Sequence, residues 1–160
     1  MLINSKRSCI LLHGLIRDEF LKGLLQEKAE SIVVLEGRPH LSGAKILCAK
    51  LLKNKITPTL ISDNMSGFLF FKDCVKEVWL AYQEKNEQGA LCDCGGLILG
   101  VLAKRHGVSL RLFPSGRRQD LMAKERDIFY FNKMRVAPKG VKGYVPLLEW
   151  VPNEYITKAN

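Results

Sequence analysis

The sequence predicts a three-layer α/β domain, a mostly parallel sheet covered by helices on both faces, and three observations carry this. Short runs of continuously apolar residues, the mark of strands buried on both faces, recur along the chain. Segments whose apolar residues return at helical spacing alternate with them. The length, 160 residues, suits one well-buried core, so residues 1–160 are read as a single domain.

The first run, Cys9-Ile10-Leu11-Leu12, ends at Gly14, and the period then changes. Ile16, Phe20, Leu21, Leu24 and Leu25 return at helical spacing, with Arg17, Asp18, Glu19, Lys22 and Glu27 outside, which predicts an amphipathic helix. Ser31 to Leu35 is a second strand, broken by Glu36-Gly37-Arg38-Pro39. Leu41, Ala44, Leu47, Cys48, Leu51 and Leu52 predict a second helix, with Lys50, Lys53 and Lys55 where cations favour a helix C-terminus. Thr57 to Ser62 reads as a third strand, Asp63 as a helix N-cap and Met65 to Phe71 as a short apolar helix. Glu77 to Tyr82 is the next strand and Glu84 to Gly89 a polar loop. Gly95 to His106 is an apolar helix closed by Gly107. Val108 to Phe113 supplies a fifth strand, stopped by Pro114, and the crossovers are expected to be right-handed. Beyond it the alternation is lost: a polar stretch to Arg126, a short strand at Ile128 to Phe131, and a basic loop from Arg135 to Gly143. Pro146 to Pro152 reads as extended, and Asn153 to Thr157 as a helical turn.

With 47% hydrophobic and 26% charged residues the composition is that of a globular protein. No apolar run approaches the roughly 18 residues of a membrane span, and the N-terminus lacks the order of a signal peptide, so a cytoplasmic protein without a membrane partner is expected. Five cysteines, Cys9, Cys48, Cys74, Cys92 and Cys94, lie mostly in apolar segments, as reduced packing thiols do. The Cys92-x-Cys94 pair lacks the second pair or histidines of a metal site, so no metal is expected. The net charge of +9 invites a nucleic-acid partner. The cations are nevertheless spread along the chain, clustering only at Arg117-Arg118 and near Arg135, Lys139 and Lys142, and charge alone speaks to nonspecific association.

Ligands of open parallel sheets bind outside the carboxyl ends of the strands. The candidates are therefore His13-Gly14, Glu36-Gly37-Arg38-Pro39, Ser62-Asp63-Asn64, Tyr82-Gln83-Glu84 and Ser115-Gly116-Arg117-Arg118. Helix N-termini and arginines favour anions, which points to a phosphorylated small molecule. Neither a dinucleotide-type nor a Walker-type glycine loop is present, and no cofactor is expected. Each candidate has a structural alternative. Glu36 and Arg38 can pair with each other, Asp63 can cap a helix, His13 can be a satisfied buried histidine, and Arg117-Arg118 can be a solvated loop.

The strand ends also resemble a known family. Glu36-Gly37-Arg38-Pro39-His40-Leu41-Ser42-Gly43-Ala44 is similar to the Glu-(Thr/Ser)-(Arg/Gln)-Pro-x-x-x-Gly-x segment shared by methylthioribose-1-phosphate isomerase, ribose-1,5-bisphosphate isomerase and the alpha, beta and delta subunits of translation initiation factor 2B. Cys9 to Gly14 looks like the family's Ile-Leu-Thr-His-x strand, and Thr59 to Met65 like its Thr-Leu-Ile-x-Asp-(Ser/Asn)-x. Arg135 to Thr157 resembles its C-terminal Arg-x-Ala-Pro-x-Gly-Val and Thr-Pro-x-Glu-Leu-Ile-Thr segments. The resemblance implies a Rossmann-like, NagB/RpiA/CoA-transferase-like sandwich and a homodimer. It matches the family's C-terminal domain, and the N-terminal helical domain is expected to be absent.

The chemical positions depart from the family pattern. In the isomerases a cysteine and an aspartate move a proton between sugar carbons; the resemblance places these at Gly14 and Tyr82. Glycine carries no proton, and tyrosine, near pKa ~10, is a poor substitute for a carboxylate. The family's Asn-Lys pair falls near Cys92-Asp93-Cys94, its glutamine is Ser42, and its Asn-Pro-x-Phe-Asp stretch is Val145 to Glu149. The resemblance therefore implies a catalytically degenerate domain that binds a phosphorylated ligand or a protein partner. The expected ligand set is Glu36, Arg38, Ser42, Asp63, Asn64, Ser115 and Arg117. The alternatives are an active isomerase whose site is rebuilt from Cys9, Cys92, Asp63 or Glu84, and a basic factor associated with RNA or translation.

Overall fold

In a computed structural model that describes residues 6–159, strands and helices alternate through the first two thirds of the chain. They run β1 (Cys9–His13), α1 (Asp18–Leu21), β2 (Ser31–Leu35), α2 (Cys48–Lys53), β3 (Pro58–Ile61), α3 (Ser66–Phe71), β4 (Val75–Lys85), β5 (Gly89–Asp93), α4 (Gly96–His106) and β6 (Ser109–Pro114). The remainder contributes the two-residue strands β7 (Tyr130–Phe131) and β8 (Met134–Arg135), then β9 (Leu148–Pro152) and β10 (Lys158–Ala159). Short tight turns extend the helices: 3-10 turns at Lys22–Leu25 and Asp63–Met65, and a π-helical turn at Gly43–Leu47 that leads into α2.

The main sheet runs β10-β6-β4-β1-β2-β3, and every neighbouring pair in that row is parallel. β1 lies at its centre, and all five of its residues are buried, which is why it reads as an unbroken apolar run. Successive side chains point to opposite faces. Leu11, Val33, Val78, Leu80 and Leu110 meet α3 and α4 on one side; Ile10, Leu12, Val34, Trp79 and Phe113 meet α1 and α2 on the other. Trp79 and Phe113 pack with ring centroids 4.3 Å apart, and Arg111 lies over both rings while its Nη1 pairs with Glu27 at 2.9 Å.

Two elements differ from the expectation. β4 runs past Tyr82 to Lys85 and turns back as β5, an antiparallel hairpin that β9 extends on its far side. The segment before α4 is thus a strand, its Gly89 so close to the Val151 carbonyl that no side chain fits there. The strand expected at Ile128 to Phe131 is a 3-10 turn, Glu125–Phe129, followed by β7, whose only strand partner among the described residues is the two-residue β8. No helix among the described residues is long and apolar enough to cross a membrane.

Candidate functional site at the strand ends

β1 and β4 deliver their carboxyl ends to the same edge of the sheet, and the site is built there around Gly14. Its φ of 79° lies in the left-handed region, and a Cβ at that position would stand 2.8 Å from the Ala81 Cβ and 3.3 Å from the Asp93 carboxyl. The position that the family resemblance assigns to a cysteine thus has no room for a side chain. Beside it His13, 3% exposed, faces the Cys94 carbonyl through Nε2 at 3.0 Å. Its Nδ1 is buried with no hydrogen-bond partner among the described residues.

Asp93, at the end of β5, lines the same pocket as this histidine. Gln119 Nε2 donates to its Oδ1 at 2.9 Å, and Gln119 is itself held through its backbone by the Gln83 side chain. Burial pushes the Asp93 pKa up, and the charges of His13 and Arg117 oppose the shift. His13, Gly37, Arg38, Ser42, Asp93 and Cys94 enclose a cavity of only ≈20 Å³. That is room for about one water.

Arg38, Asp63, Asn64 and Ser115, four of the other expected ligand residues, are held by partners within the chain. The Asp63 carboxylate accepts the backbone N–H of Gly37 at 2.9 Å and of Arg38 at 2.8 Å. The Arg38 guanidinium donates to the carbonyls of Tyr130 at 3.2 Å and Ile128 at 3.4 Å and lies 5.0 Å from the centre of the Phe131 ring. Glu36 is held above the usual carboxylate range by burial and by the charge of Asp63, with Arg38 opposing. Ser115 Oγ donates to the Arg117 carbonyl at 2.7 Å and shapes its own turn. Asn64 is exposed and accepts from Ser62 Oγ, and Arg117 is exposed on the rim.

Tyr82 is not brought to the Gly14 pocket. It packs on the α4 side of the sheet, whereas Ala81, on the opposite face, meets Gly14. Cys9 and Cys92 are fully buried on that same α4 side, and burial pushes the Cys9 thiol up to about 12 and the Cys92 thiol higher still. Glu84 is exposed and paired with Arg118 at 2.6 Å. Among the described residues no cluster of His, Cys, Asp and Glu suits a metal ion.

Three contributors, Asp93, Gln119 and Glu149, were not singled out as site residues in the sequence. Gln119 follows the arginine pair, with no pattern to mark it. Glu149, from β9, accepts the N–H groups of Gly95 at 2.7 Å and Leu97 at 3.0 Å through one oxygen. The N-terminus of α4, otherwise suited to an anion, is filled by the chain's own carboxylate.

Beyond this closed pocket lies an open groove of ≈540 Å³, between Pro39-His40-Leu41 with Lys45 on one side and Arg126, Tyr130 and Lys133 on the other. Residues 5–159 match the model of the initiation factor 2 subunit family. The chain belongs to that family.

Among its relatives in the family, the methylthioribose-1-phosphate isomerase of Carboxydothermus hydrogenoformans is 30% identical over 158 residues, 90% of this chain and 44% of the relative. The enzyme of the same name from Desulforudis audaxviator is 29% identical over 146 residues, covering 82% and 42%. The chain therefore spans less than half the length of these curated relatives. Two solved structures share its fold. The translation initiation factor eIF-2B subunit delta from A. fulgidus superposes with a TM-score of 0.83 at 19% identity, over 97% of this chain and 52% of that one. The 5-methylthioribose 1-phosphate isomerase from Pyrococcus horikoshii OT3 gives 0.81 at 17% identity, over 96% and 49%. The mixed, mostly parallel α/β architecture is thus the family's own.

Proposed function

We propose that this family member binds a phosphorylated ligand without isomerising it. The observation that carries the reading is the strand-end pocket: glycine stands where the resemblance expects the acid-base cysteine, and the space left holds about one water. The anchors expected to seize a phosphate support it further, since Arg38, Asp63 and the start of α4 are each satisfied internally. Binding then falls to the open basic groove beside the pocket, where Lys45, Arg126 and Lys133 converge. A second copy of the chain is the proposed cover for the exposed Phe68 and Phe71 of α3 and Ile98 of α4. Sedimentation of the purified protein tests that part.

A second reading, an isomerase with a rebuilt site, draws on Asp93. It is a largely buried carboxyl with a raised pKa beside His13, as acid-base chemistry requires. Incubating the purified protein with methylthioribose 1-phosphate and with ribose 1,5-bisphosphate separates the two. The first reading expects no ketose product, with calorimetric binding of ribose 5-phosphate weakened by Lys45→Ala. Turnover abolished by Asp93→Asn would establish the second.

A further inference from the structure

The ≈540 Å³ groove does not stand alone. A second groove, of ≈430 Å³, is lined by Arg117, Arg118, Lys124 and Arg126 and shares His40, Arg126 and Asp127 with the first. The two form one continuous track. Along it Lys45, Lys133, Arg126, Lys124, Arg117 and Arg118 face two carboxylates, Asp120 and Asp127. Asp127 is met by His40 at 3.4 Å and Arg126 at 3.9 Å, and Arg118 is drawn to Glu84. The track remains strongly positive.

Either groove alone has the volume of a small-molecule site. Charge spread over both matches a ligand whose own charges repeat along its length. The sequence concentrates charge in the same way: residues 115–145 hold eight Lys and Arg against three Asp and Glu, more than half of the chain's net +9. Tyr130 lines the first groove and is 42% exposed, with the Arg135 guanidinium 5.8 Å from the centre of its ring. Phe131, next to it, is 41% exposed. Cations that follow a backbone, interleaved with an aromatic face on which a base can stack, are the two components of single-strand recognition. A duplex keeps its bases stacked on each other and offers Tyr130 nothing.

We infer that this track binds a single-stranded nucleic acid, with phosphates along the cations and a base on Tyr130. The inference rests on the phosphate-binding reading above and names the class of ligand. The phosphates of the strand take the groove and leave the strand-end pocket closed.

Fluorescence anisotropy with labelled RNA and DNA single strands of about 16 nucleotides, and with a duplex of the same length, tests it. Single strands are expected to bind, with about four phosphate contacts giving a slope of log affinity on log salt near −3, a loss of about sevenfold per doubling of salt. A preference for RNA or for DNA identifies the source. Replacing Lys124 and Arg126 together by Ala should flatten the slope by about 1.4. Tyr130→Ala should weaken binding about tenfold or more at any salt. The melting temperature of each variant confirms that it is folded. No binding at low salt, or duplex bound as tightly as single strands with Tyr130→Ala unchanged, overturns the inference. If strands fail while ribose 5-phosphate still binds, the inference falls and the phosphate-binding reading stands. If a sugar phosphate is turned over, that reading falls while the strand assay still decides the inference.

Discussion

The carboxylate of Asp63 accepts the backbone N–H of Arg38 at 2.8 Å, and its other oxygen accepts that of Gly37 at 2.9 Å. The acid that follows β3 thus shapes the loop that follows β2. Both of its oxygens are engaged by the chain itself.

Asp63→Ala leaves two part-buried N–H groups without an acceptor and should cost about 1–3 kcal/mol. Asp63→Asn keeps one acceptor oxygen and should cost less. Urea denaturation of the two variants against the parent protein measures both; equal stability of all three would mean that the loop holds its shape without the clamp.

Glu149 ties β9 to the start of α4 by accepting from Gly95 and Leu97. Glu149→Ala should destabilise the protein by about 0.5–2 kcal/mol, as loss of a helix cap does. Because the carboxylate also favours the positive end of the helix, Glu149→Gln should recover only part of this. Thermal melts resolve the order.

At Gly14 both the left-handed backbone and the nearby Ala81 oppose a side chain. Gly14→Ala is expected to cost about 1–3 kcal/mol. Gly14→Cys should cost at least as much and confer no turnover on methylthioribose 1-phosphate. A stable Gly14→Cys variant would show that β4 can yield.

Burial raises the Asp93 pKa above its unfolded value, so the folded state holds this proton more tightly. The stability it contributes is fully present below the unfolded pKa and is lost as pH rises through the folded one. Glu36, also raised, acts with the same sign. Denaturation midpoints from about pH 4 to about pH 8 should therefore fall less steeply in Asp93→Asn than in the parent. The difference between the two curves isolates this residue from Glu36.

The parallel core was legible because its central strands β1 and β2 are buried on both faces and the helices beside them on one stripe. β1 and β2 read as unbroken apolar runs, and Leu21, Leu24, Leu47 and Leu51 recur at helical spacing and are buried. β5 was not legible: Gly-Ala-Leu-Cys-Asp has no alternation, since its first four residues are buried, and its pairing partners are β4 and the distant β9. The site was legible as a place and less so in its roles. Tyr82 and Ala81 are adjacent in sequence, yet only Ala81 meets Gly14, because neighbours on a strand face opposite ways.

Local pattern was therefore enough for the order of strands and helices in the parallel core and for the edge of the sheet where loops gather, and the family resemblance for the missing cysteine at Gly14. These follow from the period of apolar residues and from the identity of one residue. That Asp63 clamps Arg38, that Glu149 fills the start of α4, and that six cations line one track depended on contacts between segments tens of residues apart in the chain. Hydrogen bonds and charge act across space at a few ångströms, and no spacing along the chain encodes which distant groups will come within that reach.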